Sequence, residues 1–217
     1  MITPILLTLK LAFWTSVCLA LLGVPLAWMI TRHSFWGKRV VETLLLLPLV
    51  LPPTVLGFYL LLLFGDNGPV VQYVGLRWAF RFEGILVGSL LFNLPFALAA
   101  YRETFRGLNE DLLQTARTLG ASRPRIWREI VLPLSWPGLM AGTLLVFAHT
   151  LGEFGVVLMI GASIPGETQV VSIYLFELVQ ALRLAEAHRV SLLMVVLSFG
   201  LLYLLRVLET RWRSATG

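Results

Sequence analysis

Charge-free apolar runs recur along the chain at bilayer length. Residues 11–30 form one of 20 residues, 43–65 one of 23, 84–101 one of 18, 130–152 one of 23 and 190–205 one of 16. Arg189 and Arg206 flank the last run, and their long stems can reach an interface from there. About 20 residues of helix cross a hydrocarbon core of roughly 30 Å. The pattern predicts five spans, over about 5–30, 43–64, 84–104, 138–160 and 189–208. Helices are required because backbone groups in lipid must pair within their own segment. The runs do not alternate polar and apolar residues, which excludes a strand barrel.

A shorter apolar piece, 168–182, carries Glu177, with Gln169, Ser172, Gln180 and Arg183 at near-helical spacing. It reads as an amphipathic helix at the interface or dipping part-way in, with a full sixth span as the lesser reading. The basic residues set the orientation. With five spans and an external N-terminus, segments 31–42, 102–137 and 206–217 hold twelve of the 17 Lys and Arg residues. That asymmetry predicts a cytoplasmic C-terminus. The first run is preceded by no basic cluster and followed by Arg32, Lys38 and Arg39, so it reads as a retained span rather than a cleaved signal.

Composition narrows the class further. The chain is 58% apolar and 13% charged, far from the balance of a water-soluble domain. A single cysteine, Cys18, excludes an intrachain disulfide and a cysteine metal site. The net charge of +5 is a topology signal; nucleic-acid binding would need a basic face interleaved with exposed aromatics. The reading is an all-α polytopic membrane protein forming one domain over 1–217.

The longest connection on the basic side, 107–139, has its own pattern. Asn109 can cap a helix over 110–119, with Glu110 and Asp111 in its first turn, where the helix dipole favours acids. Gly120 ends that helix in the manner of a C′ glycine. Ser122 is expected to cap a second helix, with Pro124 in its first turn and Ile126, Trp127, Ile130 and Val131 as its apolar stripe. Pro133 and Pro137 are expected to stop it before the next span. The result is a rigid knob, suited to docking in a partner's groove.

This loop resembles the inner loop of binding-protein-dependent ABC importer permeases, whose motif is Glu-Ala-Ala, three residues, Gly, nine residues, then Ile-x-Leu-Pro. The chain reads Gln114-Thr115-Ala116, Arg117-Thr118-Leu119, Gly120 and, nine residues on, Ile130, Leu132 and Pro133. Gln114 replaces the Glu and Thr115 the first Ala, which removes a charge but keeps the spacing. Leu47-Pro48-Leu49-Val50-Leu51-Pro52-Pro53-Thr54, Leu151-Gly152-Glu153-Phe154-Gly155 and Ile164-Pro165-Gly166-Glu167-Thr168 look like the permease subunits of molybdate importers, with the tungstate and sulfate permeases close to them. The resemblance implies a type I ABC importer permease fold and a homodimer in the cell inner membrane. It also implies two cytoplasmic ABC ATPase subunits and an external molybdate-binding protein as partners. Gln114, Thr115, Ala116, Leu119 and Gly120, with Ala121 and Ser122 at the edge, are then the ATPase-coupling residues.

Leu51, Pro52, Pro53 and Thr54, with Glu153 and Phe154, are candidates for the translocation path or its gate. Pro48, Pro52 and Pro53 each remove a backbone donor in mid-span, which lipid tolerates only where protein or a water-filled path re-satisfies the backbone. A packing kink is the competing reading. Glu153 must face protein or water. It reads as a hydrogen-bonding residue between helices, flanked by glycines that permit close packing, or as a gate contact. His149 lies four residues earlier on the same face. A proton-coupled carrier built on these two residues is the alternative function. Gly138 and Gly142 form a small-residue contact motif. No phosphate loop, His-Glu-x-x-His or Gly-x-Ser-x-Gly motif occurs, so neither ATP binding nor a hydrolase centre is expected in this chain. No cofactor or bound metal is expected.

Overall fold

The structure, a computed structural model, describes the backbone of residues 2–216 and the side chains of 2–204, 206 and 207. Arg211 and Arg213, counted above on the basic side, lie outside the described side chains. The helices are α1 (Ile2–Arg32), α2 (Lys38–Val50), α3 (Pro53–Phe64), α4 (Pro69–Val74), α5 (Phe82–Arg106), α6 (Glu110–Thr118), α7 (Arg123–Ile126), α8 (Leu132–Leu151), α9 (Gly155–Gly161), α10 (Val171–Gln180) and α11 (Leu184–Thr216). A π-helical turn, Trp127–Val131, joins α7 to α8. Among the described residues five helical stretches are long and apolar enough to cross a membrane: Ile2–Arg32, Pro53–Val74, Phe82–Arg106, Arg123–Leu151 and Leu184–Leu204. The five spans expected from the sequence are therefore present, with three differences in how they are built.

The run at 43–64 is not one kinked helix. It breaks at Leu51 and Pro52, both in extended backbone, into α2 and α3. Pro53 opens α3 at a position where its missing N–H has no intrahelical role. Pro48 is accommodated inside α2. The fourth span, expected to run unbroken over 138–160, stops at Leu151; Gly152, Glu153 and Phe154 form a non-helical joint before the short α9. The third difference is the stop expected at Pro133 and Pro137. Neither ends the helix. Pro133 falls in the first turn of α8, and the wide turn Trp127–Val131 before it absorbs the lost hydrogen bond, so α7 runs on into the span. The short apolar piece is α10, ten residues long, too short to span.

α1, α5 and α8 form the centre of the bundle; apart from a small apolar group joining Val171 and Leu178 of α10 to Ala187 and Val190 of α11, most of the described buried apolar residues fall into two groups. One gathers Leu19 and Ala27 of α1, Leu98, Tyr101 and Phe105 of α5, and Leu139 and Val146 of α8. The other gathers Leu7 and Leu11 of α1, Ile85 of α5, Leu60 of α3, and Val156 and Ile160 of α9. Between them on every helix lie buried polar residues: Thr15 on α1, Ser89 and Asn93 on α5, Thr150 on α8 and Glu153 just after it. The centre of the bundle is thus two apolar groups separated by a polar layer.

Close approach of α5 and α8 depends on small residues, as membrane helix contacts generally do. A Cβ on Gly142 would sit 2.8 Å from Ala100 Cβ and 2.9 Å from Tyr101 Cε1. Gly142→Leu is expected to push α8 off α5 and destabilise the fold by about 1–3 kcal/mol. The check is the midpoint of thermal aggregation in detergent, against a Gly200→Leu control, since Gly200 faces open space.

Candidate functional site

The coupling segment is built by local chain chemistry. Asn109 Oδ1 accepts the Asp111 backbone N–H at 2.8 Å and caps α6. Gly120 takes φ +81°; its N–H donates to Arg117 O and the Ala121 N–H to Ala116 O, both at 3.0 Å. These two bonds form a Schellman closure, which needs the left-handed residue that glycine supplies without strain. Ser122 differs from expectation. Its side chain makes no cap bond, and its carbonyl accepts the Ile126 N–H instead. Leu113 and Ile126 are buried under the knob, while Gln114, Thr115, Leu119, Gly120 and Ser122 are exposed and Ala116 and Ala121 half-buried. Leu119 is the most conspicuous, an apolar tip 82% exposed.

The knob is clamped to the bundle. Trp127 meets Trp28 edge to face with centroids 5.3 Å apart, and Trp28 meets Phe105 the same way at 5.1 Å. Arg32 forms an ion pair with Glu110 and donates to Phe105 O at 2.8 Å, holding the entry to α6. Arg102 pairs with Glu42 at 2.6 Å and fastens α2 to α5.

The second assembly lies in the polar layer. A cavity of about 490 Å³ is lined by Pro53, Phe92, His149, Glu153 and Phe154 together with small residues. Of the sequence candidates, the structure brings together Pro53, Glu153 and Phe154. Leu51 is half-buried and Pro52 exposed at the break between α2 and α3, and Thr54 is exposed; none of these three lines the cavity. Gly155 permits the approach of α3, since a Cβ there would lie 2.9 Å from Pro53 Cβ.

Glu153 is 4% exposed. Its Oε2 accepts Ser89 Oγ–H at 2.6 Å and Asn93 Nδ2–H at 3.1 Å, and Oε1 is buried without a partner. Thr15 Oγ1 donates to Ser89 Oγ at 3.0 Å, so the network reaches α1. Ser172 Oγ donates to Glu153 O at 2.6 Å and ties α10 to the joint. His149 Nδ1 lies 2.8 Å from Asn93 Oδ1, and its ring packs on Phe96 and Phe92 with centroids 4.2 and 5.5 Å away. The reading of Glu153 as a hydrogen-bonding residue between helices agrees with this geometry. Ser89, Asn93 and Thr15 were not singled out from the sequence. Their signal was present: Ser89 and Asn93 stand four apart, on one helical face, inside an apolar run.

A helical bundle of this kind, with two broken spans and a capped hairpin on its basic end, is shared with membrane components of transport systems. The chain belongs to the family of binding-protein-dependent transport system inner membrane components, whose model matches residues 20–214. It is 42% identical to the molybdenum transport system permease protein ModB of Azotobacter vinelandii over 92% of this chain and 90% of that one. It is 35% identical to ModB of Haemophilus influenzae over 100% of this chain and 96% of that one, and 32% identical to the sulfate permease protein CysT of Salmonella typhimurium over 94% and 75%. Among solved structures, a bacterial alginate ABC transporter matches with a TM-score of 0.77 at 21% identity, over 97% of this chain and 78% of that one. The MetNI methionine ABC transporter matches at 0.74 and 16%, over 97% and 95%. The fold is that of ABC importer permeases.

Proposed function

We propose that the chain is the membrane-spanning permease subunit of an ATP-driven molybdate importer. The observation that carries this reading is the Schellman-closed hairpin at Gly120, on a chain 42% identical to a molybdenum permease. Two copies pack around a two-fold axis and enclose the path between them, each with its N-terminus outside and C-terminus in the cytoplasm. The segment 107–139 faces the cytoplasm, where Gln114, Thr115, Ala116, Leu119, Gly120, Ala121 and Ser122 dock one of two ATPase subunits. Leu119, apolar and exposed, is the anchor. An external molybdate-binding protein delivers the anion. ATPase closure moves the knobs and shifts the balance between inward-open and outward-open states. Converting a 1:99 balance to 99:1 needs about 5.5 kcal/mol of differential binding.

Within the membrane, Pro53, Glu153 and Phe154 border the path, with Leu51 and Pro52 forming the break next to it and Thr54 in the first turn of α3 beside them. The joint at Gly152–Phe154 and the break at Leu51–Pro52 meet through Pro53 and Gly155, and discontinuous helices at mid-membrane suit alternating access. The test is to purify the chain with its ATPase and binding protein, reconstitute them, and compare ATP hydrolysis with molybdate, tungstate, sulfate and no anion. Molybdate is expected to give the largest stimulation. The identity to CysT makes sulfate the specific rival, and a larger response to sulfate reassigns the substrate. Uptake without the ATPase would overturn the importer reading in favour of a proton-coupled carrier.

A further inference from the structure

The polar layer ends, on its cavity side, in a nitrogen that no described residue uses. Asn93 Nδ2 donates to Ser89 O at 2.9 Å as well as to Glu153 Oε2 at 3.1 Å. A backbone carbonyl only accepts, so the amide's orientation is fixed and its Oδ1 is left as an acceptor. That oxygen meets His149 Nδ1 at 2.8 Å, so Nδ1 carries the hydrogen. Nε2 has no hydrogen-bond partner and is not among the buried orphan atoms, which leaves it open to the 490 Å³ cavity that His149 lines. Phe92 stacks on the ring and Phe96 lies tilted against it, and an aromatic face beside it favours a positive imidazole.

We propose that His149, protonated on Nε2, is the group that contacts the oxyanion inside the membrane and selects for a tetrahedral dianion there. This rests on the transport reading above. A fully deprotonated tetrahedral oxyanion offers acceptors only, so a bare Nε2 would turn its lone pair against it, while Nε2–H donates a charge-assisted bond. The proton comes from water as the anion enters and returns to water as the anion leaves. Glu153 is the other ionisable residue lining the cavity. Its Oε2 is engaged by Ser89 and Asn93, its Oε1 is buried without a partner, and it is linked to His149 through the Asn93 amide, so the cavity sets one carboxylate beside the imidazole. The other side chains that α1, α3 and α5 bring to this network and cavity are uncharged: Thr15, Pro53, Ser89, Phe92, Asn93 and Phe96.

Two substitutions separate anion contact from scaffolding. His149→Asn keeps a donor near the Nδ1 position for Asn93 and removes the cavity nitrogen; His149→Gln gives up the Asn93 bond and places an N–H near the Nε2 position. In vesicles holding the complete transporter with ATP, His149→Asn is expected to lower molybdate uptake about tenfold or more. His149→Gln, which supplies the N–H without the charge, is expected to recover only part of that loss and to fall between His149→Asn and wild type. Wild-type uptake is expected to fall as pH rises through the imidazole range, and that of the Gln variant to stay flat. A purely structural histidine gives the reverse order, with Asn at least as active as Gln, and that result overturns the proposal. If neither variant assembles with the ATPase, wild type decides. Carbethoxylation of His149 by diethyl pyrocarbonate, read by mass spectrometry against exposed His33 and His188, is expected to slow under saturating molybdate. Equal modification with and without molybdate overturns the proposal. A wild-type assembly that takes up no oxyanion with ATP overturns the transport reading itself, a different failure from an Asn variant that transports normally.

Discussion

Replacing Gly120 with valine is expected to reduce ATP-driven uptake to below about a tenth of wild type. Nothing in the structure lies within 4 Å of a Cβ built on Gly120, so the effect does not come from crowding. It comes from the backbone. At φ +81° a side chain costs of order 1–3 kcal/mol, most for a β-branched residue. Relaxing φ breaks the bonds from Gly120 N to Arg117 O and from Ala121 N to Ala116 O, and with them the angle between α6 and α7. The prediction is graded: asparagine, which tolerates the left-handed region, should retain most activity, alanine less and valine least. Uptake and ATPase retention on an affinity column are measured together. Equal uptake across the series would mean that the hairpin's shape does not matter for coupling.

Glu153→Ala is expected to be the most destabilising single change in the membrane region. It leaves the Ser89 hydroxyl and the Asn93 amide facing each other without their shared acceptor, and opens a void in a layer 4% exposed at that residue. Each stranded buried donor costs about 1–3 kcal/mol. Glu153→Gln keeps an oxygen within reach of both donors and should recover most of the loss. The readout is the fraction surviving as a monodisperse species after heating in detergent. A double mutant with Asn93→Ala should be less damaging than the two single changes combined, because the two residues share one bond. Additive losses would show that the network is not a unit.

The long runs were legible because lipid enforces a simple rule on length and charge. So was the hairpin, because Asn109, Glu110, Asp111 and Gly120 act through bonds to their near neighbours. What the sequence hid was tertiary. Pro133 carries a local instruction to stop a helix, yet a widened turn at Trp127–Val131, held by Trp28 and Phe105 from two other helices, overrides it, and Pro137 is accommodated inside α8. Ser122 has the right identity for a side-chain cap, but its carbonyl does the work. The candidate cavity was half legible. Glu153 stood out as an acid in an apolar run, and His149 as its neighbour on one face. Their connection runs through Asn93, some 60 residues away in sequence, which no spacing rule reaches. Leu51, Pro52 and Thr54 were chosen from the same proline-rich stretch as Pro53, and the chain's bend carries them off the cavity wall.

The widened turn makes one rod of two pieces that the prolines would otherwise have cut apart, 29 residues from Arg123 to Leu151. Gly142 seats that rod against Ala100 and Tyr101 of α5, roughly 28 Å from one tip and roughly 10 Å from His149 at a rise of 1.5 Å per residue. Trp28 and Phe105 grip the rod near its hairpin end, so a displacement of the tip must carry α1 and α5 with it. Under the transport reading, a pull on the hairpin is therefore passed to the three central helices together rather than to one span alone.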